Sequence, residues 1–81
     1  MHWIYILKSE KDKNLYIGCT GDLSKRITQH QKGLVRSTKN RLPIRLIYKE
    51  RYDDVYEAFR KERFYKTPKG KRELKKHWGI V

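Results

Sequence analysis

The sequence is short of cysteine, proline, acid and long apolar runs, and each shortage closes off a class of protein. Cys19 is the only cysteine, so no internal disulfide can form and a reducing cytoplasm is the expected compartment. That cysteine and three histidines do not make a zinc set. No segment approaches the ~18 consecutive apolar residues of a spanning helix, so no membrane role is expected. Residues 1–7 have neither the basic start nor the length of a signal peptide. There is no internal repeat, low-complexity tract or linker, and all 81 residues read as one small domain. With 37% apolar residues, its core must be thin.

Acid is the most telling shortage: 9 Asp and Glu stand against 21 Lys and Arg, a formal charge of +12. Such a charge on a short chain repels itself, and a polyanion relieves the repulsion. Nucleic acid is therefore the expected partner. The plain alternative is a solvated basic surface that serves only solubility.

The run Trp3-Ile4-Tyr5-Ile6-Leu7 is β-branched and aromatic, which predicts a strand buried on both faces. A polar stretch from Ser9 to Asn14 then leads to Leu15-Tyr16-Ile17-Gly18-Cys19, a second strand. So short a link forces antiparallel pairing. Thr20 or Asp22 can cap a helix from about Leu23 to Gln31, with Gly33 just past its end. Leu34 to Arg41 reads as a basic, irregular loop. Pro43 introduces a third strand, Ile44-Arg45-Leu46-Ile47-Tyr48, of only moderate alternation. Asp53-Asp54 starts a helix through Tyr65. Thr67-Pro68 opens a last helix, which Leu74, Trp78 and Ile80 suit only to a surface cover.

Several residues carry potential chemistry, each beside a plainer reading. Val55, Ala58, Phe59 and Glu62 share a helix face, so Glu62 continues an apolar stripe. A carboxylate there needs a cation, donors or a metal; the plain reading is an edge position paired with a neighbouring Lys or Arg. Arg26 and His30 are spaced i, i+4 on one face. They are either two solvated residues or a phosphate-facing pair, in which Arg supplies a fork of donors and His can shuttle a proton. Tyr5 and Tyr16 on adjacent strands are by default core tyrosines. No Cys-His spacing activates Cys19, whose expected role is a small buried side chain.

Taken in order, these blocks resemble the GIY-YIG nuclease superfamily, in particular its small stand-alone bacterial members. Trp3-Ile4-Tyr5 matches the first motif and Tyr16-Ile17-Gly18 the second. Leu23-Ser24-Lys25-Arg26 with His30 follows, and Glu57-Ala58 leads to Lys61-Glu62. The likeness covers residues 2 to about 76. It implies an α+β fold, a small three-stranded antiparallel sheet flanked by helices. It also implies metal-dependent hydrolysis of phosphodiester bonds, with DNA the expected nucleic acid. By the resemblance Tyr5 and Tyr16 lie close to the scissile phosphate, one of them helping to activate water. Arg26 stabilises charge on the phosphate, His30 sits beside it, and Glu62 is the sole carboxylate for magnesium, or manganese. Gly18 lets the backbone pass close to the site.

This chain departs from the family pattern at Trp3, where the first motif has glycine. Cys19 stands where some family nucleases place a lysine, and an asparagine of larger members has no clear match. These departures support a second reading, a nucleic-acid-binding module with little or no catalysis. Arg36, Lys39 and Arg41 of the basic loop are expected to hold the backbone. Without an added DNA-binding domain, recognition is expected to be structure-selective or to depend on a partner protein. The oligomeric state is not legible.

Overall fold

The computed structural model describes residues 2–78, with side chains described through residue 76. Its elements run β1 (His2–Ser9), β2 (Leu15–Thr20), α1 (Leu23–Gln31), a 3-10 turn (Lys39–Arg41), β3 (Ile44–Tyr52), α2 (Val55–Tyr65) and α3 (Pro68–Trp78). The sheet order is β2-β1-β3 and both pairings are antiparallel. The α+β architecture inferred from the sequence is thus the one found.

The central place of β1 explains its composition. A middle strand has no free edge and two covered faces, so Ile4, Tyr5, Ile6 and Leu7 are all at most 1% exposed. Alternation divides them. Ile4 and Ile6 pack with Ile17, Tyr65 of α2 and Leu74 of α3. Tyr5 and Leu7 point the other way, joining Ile44, with Tyr16 and with Leu23 and Ile27 of α1 packed alongside. Two thin cores lie back to back.

β3 reaches Tyr52, beyond the expected end at Tyr48. The charged Lys49-Glu50-Arg51 stretch hides the extension, because an edge strand tolerates charges and is protected by them. Its imperfect alternation also has a cause. The register against β1 shifts between Ile6, opposite Tyr48, and Leu7, opposite Leu46. The extra residue, Ile47, makes a bulge, so Ile47 and Tyr48 both reach the first core while Leu46 faces the second.

The helices begin where side chains can satisfy their free N–H groups. Asp22 caps α1 by accepting from Lys25 N at 3.1 Å, settling the choice between Thr20 and Asp22. Asp54 caps α2, accepting from Tyr56 N at 2.9 Å. Thr67 Oγ1 accepts from Gly70 N at 3.0 Å at the start of α3. Two expectations about these helices need correction. Phe59 is 45% exposed and lies off the inner face of α2. That face instead carries the buried Ala58 and Tyr65 and the half-buried Val55 and Glu62. In α3, Leu74 is 1% exposed and belongs to the first core, so the helix is more than a cover. Gly70 makes this possible: a Cβ there would stand 1.8 Å from the Phe64 carbonyl oxygen, so only glycine lets α3 close on α2. The expected contributions of the Trp78 side chain and Ile80 lie outside the described residues.

Among the described residues, no helix is long and apolar enough to cross a membrane.

Candidate active site

The site grows from the β1–β2 pair. Tyr5 and Gly18 are register partners, and the Tyr5 phenol lies across the glycine. A Cβ at position 18 would come within 2.4 Å of both Tyr5 Cζ and Tyr5 Oη. Gly18 is therefore required by the close approach of the Tyr5 phenol. Tyr16 lies two residues earlier on the same strand face, and its ring centroid is 6.3 Å from that of Tyr5.

α1 brings His30 up to this pair. The imidazole is fully buried, with centroids 5.6 Å from Tyr5 and 5.0 Å from Tyr16. Its Nε2 lies 3.0 Å from Tyr5 Oη, and its Nδ1 lies 2.7 Å from Thr38 Oγ1. Burial, with a smaller contribution from the nearby Arg26 cation, lowers its pKa to about 4. His30 is neutral at physiological pH, carrying one N–H and one lone pair.

Arg26, one turn before His30, is half-buried, and its Nη1 donates to Gln29 Oε1 at 3.4 Å. The guanidinium also acts on the phenols of Tyr5 and Tyr16, and its own pKa is raised mainly through Tyr5. The Tyr5 pKa is raised as well. Burial dominates there, Arg26 pulls in the opposite direction, and Tyr16 and Glu62 add smaller upward contributions. The phenol is thus held neutral by desolvation and drawn towards phenolate by the arginine.

Glu62 comes from α2, on the other side of the sheet. Its negative charge is nevertheless felt by Tyr5 and by the Cys19 thiol, raising both. The carboxylate sits 3.4 Å from Lys66 Nζ, so the plain expectation of a lysine partner is met. Tyr5, Tyr16, Arg26 and His30 form one contiguous group, and Glu62 is its outlying member. Cys19 is half-buried, and burial pushes its thiol up, which opposes a nucleophilic role. Among the described residues, no group of three or more His, Cys, Asp or Glu could hold a metal.

The three loop cations lie in different surroundings. Arg36 lines a depression together with Arg26. Lys39 is exposed. Arg41 is committed to the β1–β2 turn: its Nε pairs with Asp12 at 3.2 Å, and its Nη2 donates to the Leu15 carbonyl at 3.5 Å. Sequence reasoning missed two features. One is Thr38, which is fully buried although it stands in a polar run. The other is a cleft of about 630 Å³ beside Tyr16, where Lys13, Arg41, Lys66, Lys71 and Lys75 converge and no carboxylate is among the lining residues. The lysines of α3 were legible as a charge run, but only the packing of α3 against α2 aims them at the strand that carries Tyr16.

A family model described as the GIY-YIG catalytic domain matches residues 1–76. The chain is 41% identical over 75 residues to a UPF0213 protein of Staphylococcus saprophyticus, covering 91% of this chain and 90% of that one. A UPF0213 protein of Staphylococcus haemolyticus is 39% identical over the same span and with the same coverage. One from Clostridium perfringens is 40% identical over 67 residues, 82% of this chain and 71% of its own. No solved structure matches. GIY-YIG domains are generally nucleases, and the UPF0213 names add no specific activity. With the match extending through residue 76 and with relatives of similar length, the chain belongs to the GIY-YIG family.

Proposed function

We propose that this chain is a divalent-metal-dependent endonuclease that hydrolyses phosphodiester bonds, with DNA as substrate. The observation that carries the reading is the buried, neutral His30 bonded at both nitrogens and set against two phenols and a guanidinium. An aliphatic side chain would fill that space without the desolvation cost of an imidazole, so packing alone does not account for it.

In this reading Arg26 holds a phosphate oxygen and neutralises the charge that develops there. Tyr5 or Tyr16 takes a proton from the attacking water. Glu62 would hold magnesium or manganese. A single carboxylate suits such an ion, which keeps several waters and takes other ligands from phosphate. Once bound, the ion supplies Lewis acidity at a phosphate oxygen. Lys66 must give up its contact with Glu62, and a half-exposed i, i+4 pair releases at a cost of about 0.5 kcal/mol. The basic cleft beside Tyr16 offers a path for the backbone flanking the reacting bond. Selectivity then comes from nucleic-acid structure or from a partner protein.

The second reading, a binding module with little or no catalysis, draws on the raised Tyr5 pKa and the Lys66 contact to Glu62. A panel of branched, single-stranded and duplex DNA, with matching RNA, incubated with magnesium or manganese, separates the two. Cleavage of at least one substrate, abolished by chelator, supports the nuclease. Retained binding with no cleavage under any metal supports the module.

A further inference from the structure

Thr38 and His30 are both fully buried, and they are bonded to each other. Because the neutral imidazole has a single N–H, the bonds at its two nitrogens must run in one direction. Either Tyr5 donates to Nε2 and Nδ1–H donates to Thr38, or Thr38 donates to Nδ1 and Nε2–H donates to Tyr5. The ends of the chain decide. In the first direction the Thr38 hydroxyl accepts, and its own proton then needs another acceptor. Among the described residues, Thr38 Oγ1 has no hydrogen-bond partner other than His30 Nδ1. A threonine hydroxyl cannot ionise, so that proton would stay buried and unpaired. In the second direction the proton is used on Nδ1, and the chain ends at Tyr5. That end abuts the half-buried Tyr16 and Arg26, and a phenol beside a guanidinium, unlike a threonine hydroxyl, can give up its proton.

We infer that Thr38 is a positioning residue: its hydroxyl donates to His30 Nδ1 and fixes the Nε2–H tautomer, so that His30 is a hydrogen-bond donor to the Tyr5 oxygen. The tautomer rests on this geometry and on the neutrality of the buried ring, and its catalytic consequence rests on the nuclease reading. With Nε2 protonated and the Nδ1 lone pair occupied, His30 cannot accept the phenolic proton. It stabilises the phenolate instead, together with Arg26, and the Tyr5 proton leaves to solvent. The phenolate then takes a proton from water as the water oxygen bonds phosphorus. The bond from phosphorus to the leaving oxygen breaks, and that oxygen acquires a proton from solvent.

Nitrogen-15 NMR of the histidine rings in the full chain, free of metal and nucleic acid, tests the tautomer directly. Wild type is expected to show His30 Nε2 as the protonated, pyrrole-like nitrogen and Nδ1 as pyridine-like, shifted by an accepted hydrogen bond. Thr38→Ser keeps the donor and this pattern. Thr38→Val, nearly isosteric, moves Nδ1 to the resonance of an unbonded lone pair. A proton found on Nδ1 in wild type overturns the inference, as does an Nδ1 resonance that Thr38→Val leaves in place. In cleavage assays Thr38→Val is expected to lower kcat roughly 2- to 10-fold, the worth of one neutral hydrogen bond, with KM for nucleic acid unchanged and Thr38→Ser restoring the rate. A change in KM with kcat intact would contradict the positioning role. If wild type cuts nothing, the nuclease reading fails while the ring spectra still decide the tautomer.

Discussion

Acidification should destabilise this protein through His30. In the native chain the imidazole resists protonation down to about 4, whereas its ordinary value is 6.5. Above the upper value the ring is neutral in both folded and unfolded chains, and pH has no leverage through it. Below that value the unfolded state binds a proton that the native state refuses, so stability falls as pH falls. The loss is complete near the lower value. At 1.36 kcal/mol per pH unit, the interval amounts to at most about 3 kcal/mol. A domain of this size holds roughly 4 to 12 kcal/mol in total, so the effect is a large fraction of its stability. Urea unfolding of wild type and of His30→Gln, stepped from about pH 7 to about pH 4, measures it, since the variant cancels the carboxylates and the general charge repulsion. Wild type should lose about 3 kcal/mol more than the variant across that window. Parallel curves would refute the argument and mean that His30 accepts its proton in the folded chain.

Other consequences follow from close approach and from charge. Gly18→Ala drives a Cβ to 2.4 Å from a Tyr5 phenol that is buried and hydrogen-bonded; thermal melts should show a loss of about 1–3 kcal/mol, accompanied by loss of cleavage. Gly70→Ala meets backbone at 1.8 Å, so about 3 kcal/mol or more should be lost in chemical unfolding. Nucleic-acid binding measured in chelator should weaken steeply with salt. Replacing Lys71 and Lys75 of the basic cleft with glutamine should flatten the log–log slope by about 2 for duplex DNA, while an unchanged slope would remove the cleft from the binding surface.

Much of this fold was legible because local and tertiary signals agree. Asp22, Asp54 and Thr67-Pro68 mark helix starts by capping chemistry that depends on few distant contacts. The all-apolar Ile4 to Leu7 run reads as a strand covered on both faces, which is what a central strand requires. What stayed hidden depends on packing. The far half of β3 carries charges that an edge permits, and its bulge exists only relative to β1. Phe59 belongs to an apolar stripe by spacing, yet the sheet meets α2 along Val55, Ala58, Glu62 and Tyr65 instead, leaving Phe59 at the rim. The motif residues Tyr5, Tyr16, Arg26 and His30 could be picked out by family likeness, and they do come together. Thr38 could not, because a threonine in a polar run gives no sign of burial until the segment folds back over α1.

In the nuclease reading proposed above, Glu62 is the residue on which catalysis, as opposed to binding, depends. Glu62→Gln keeps the shape of the side chain and removes the charge that draws a cation, and a neutral amide is less costly to half-bury on α2. The decisive measurement is the magnesium-dependent single-turnover cleavage rate of this variant beside wild type, with binding to the same substrate recorded in chelator. The nuclease reading predicts a rate lower by orders of magnitude, as for loss of an electrostatic element at a phosphoryl site, with binding retained or tightened. Equal rates in the two proteins would contradict it and place the metal elsewhere.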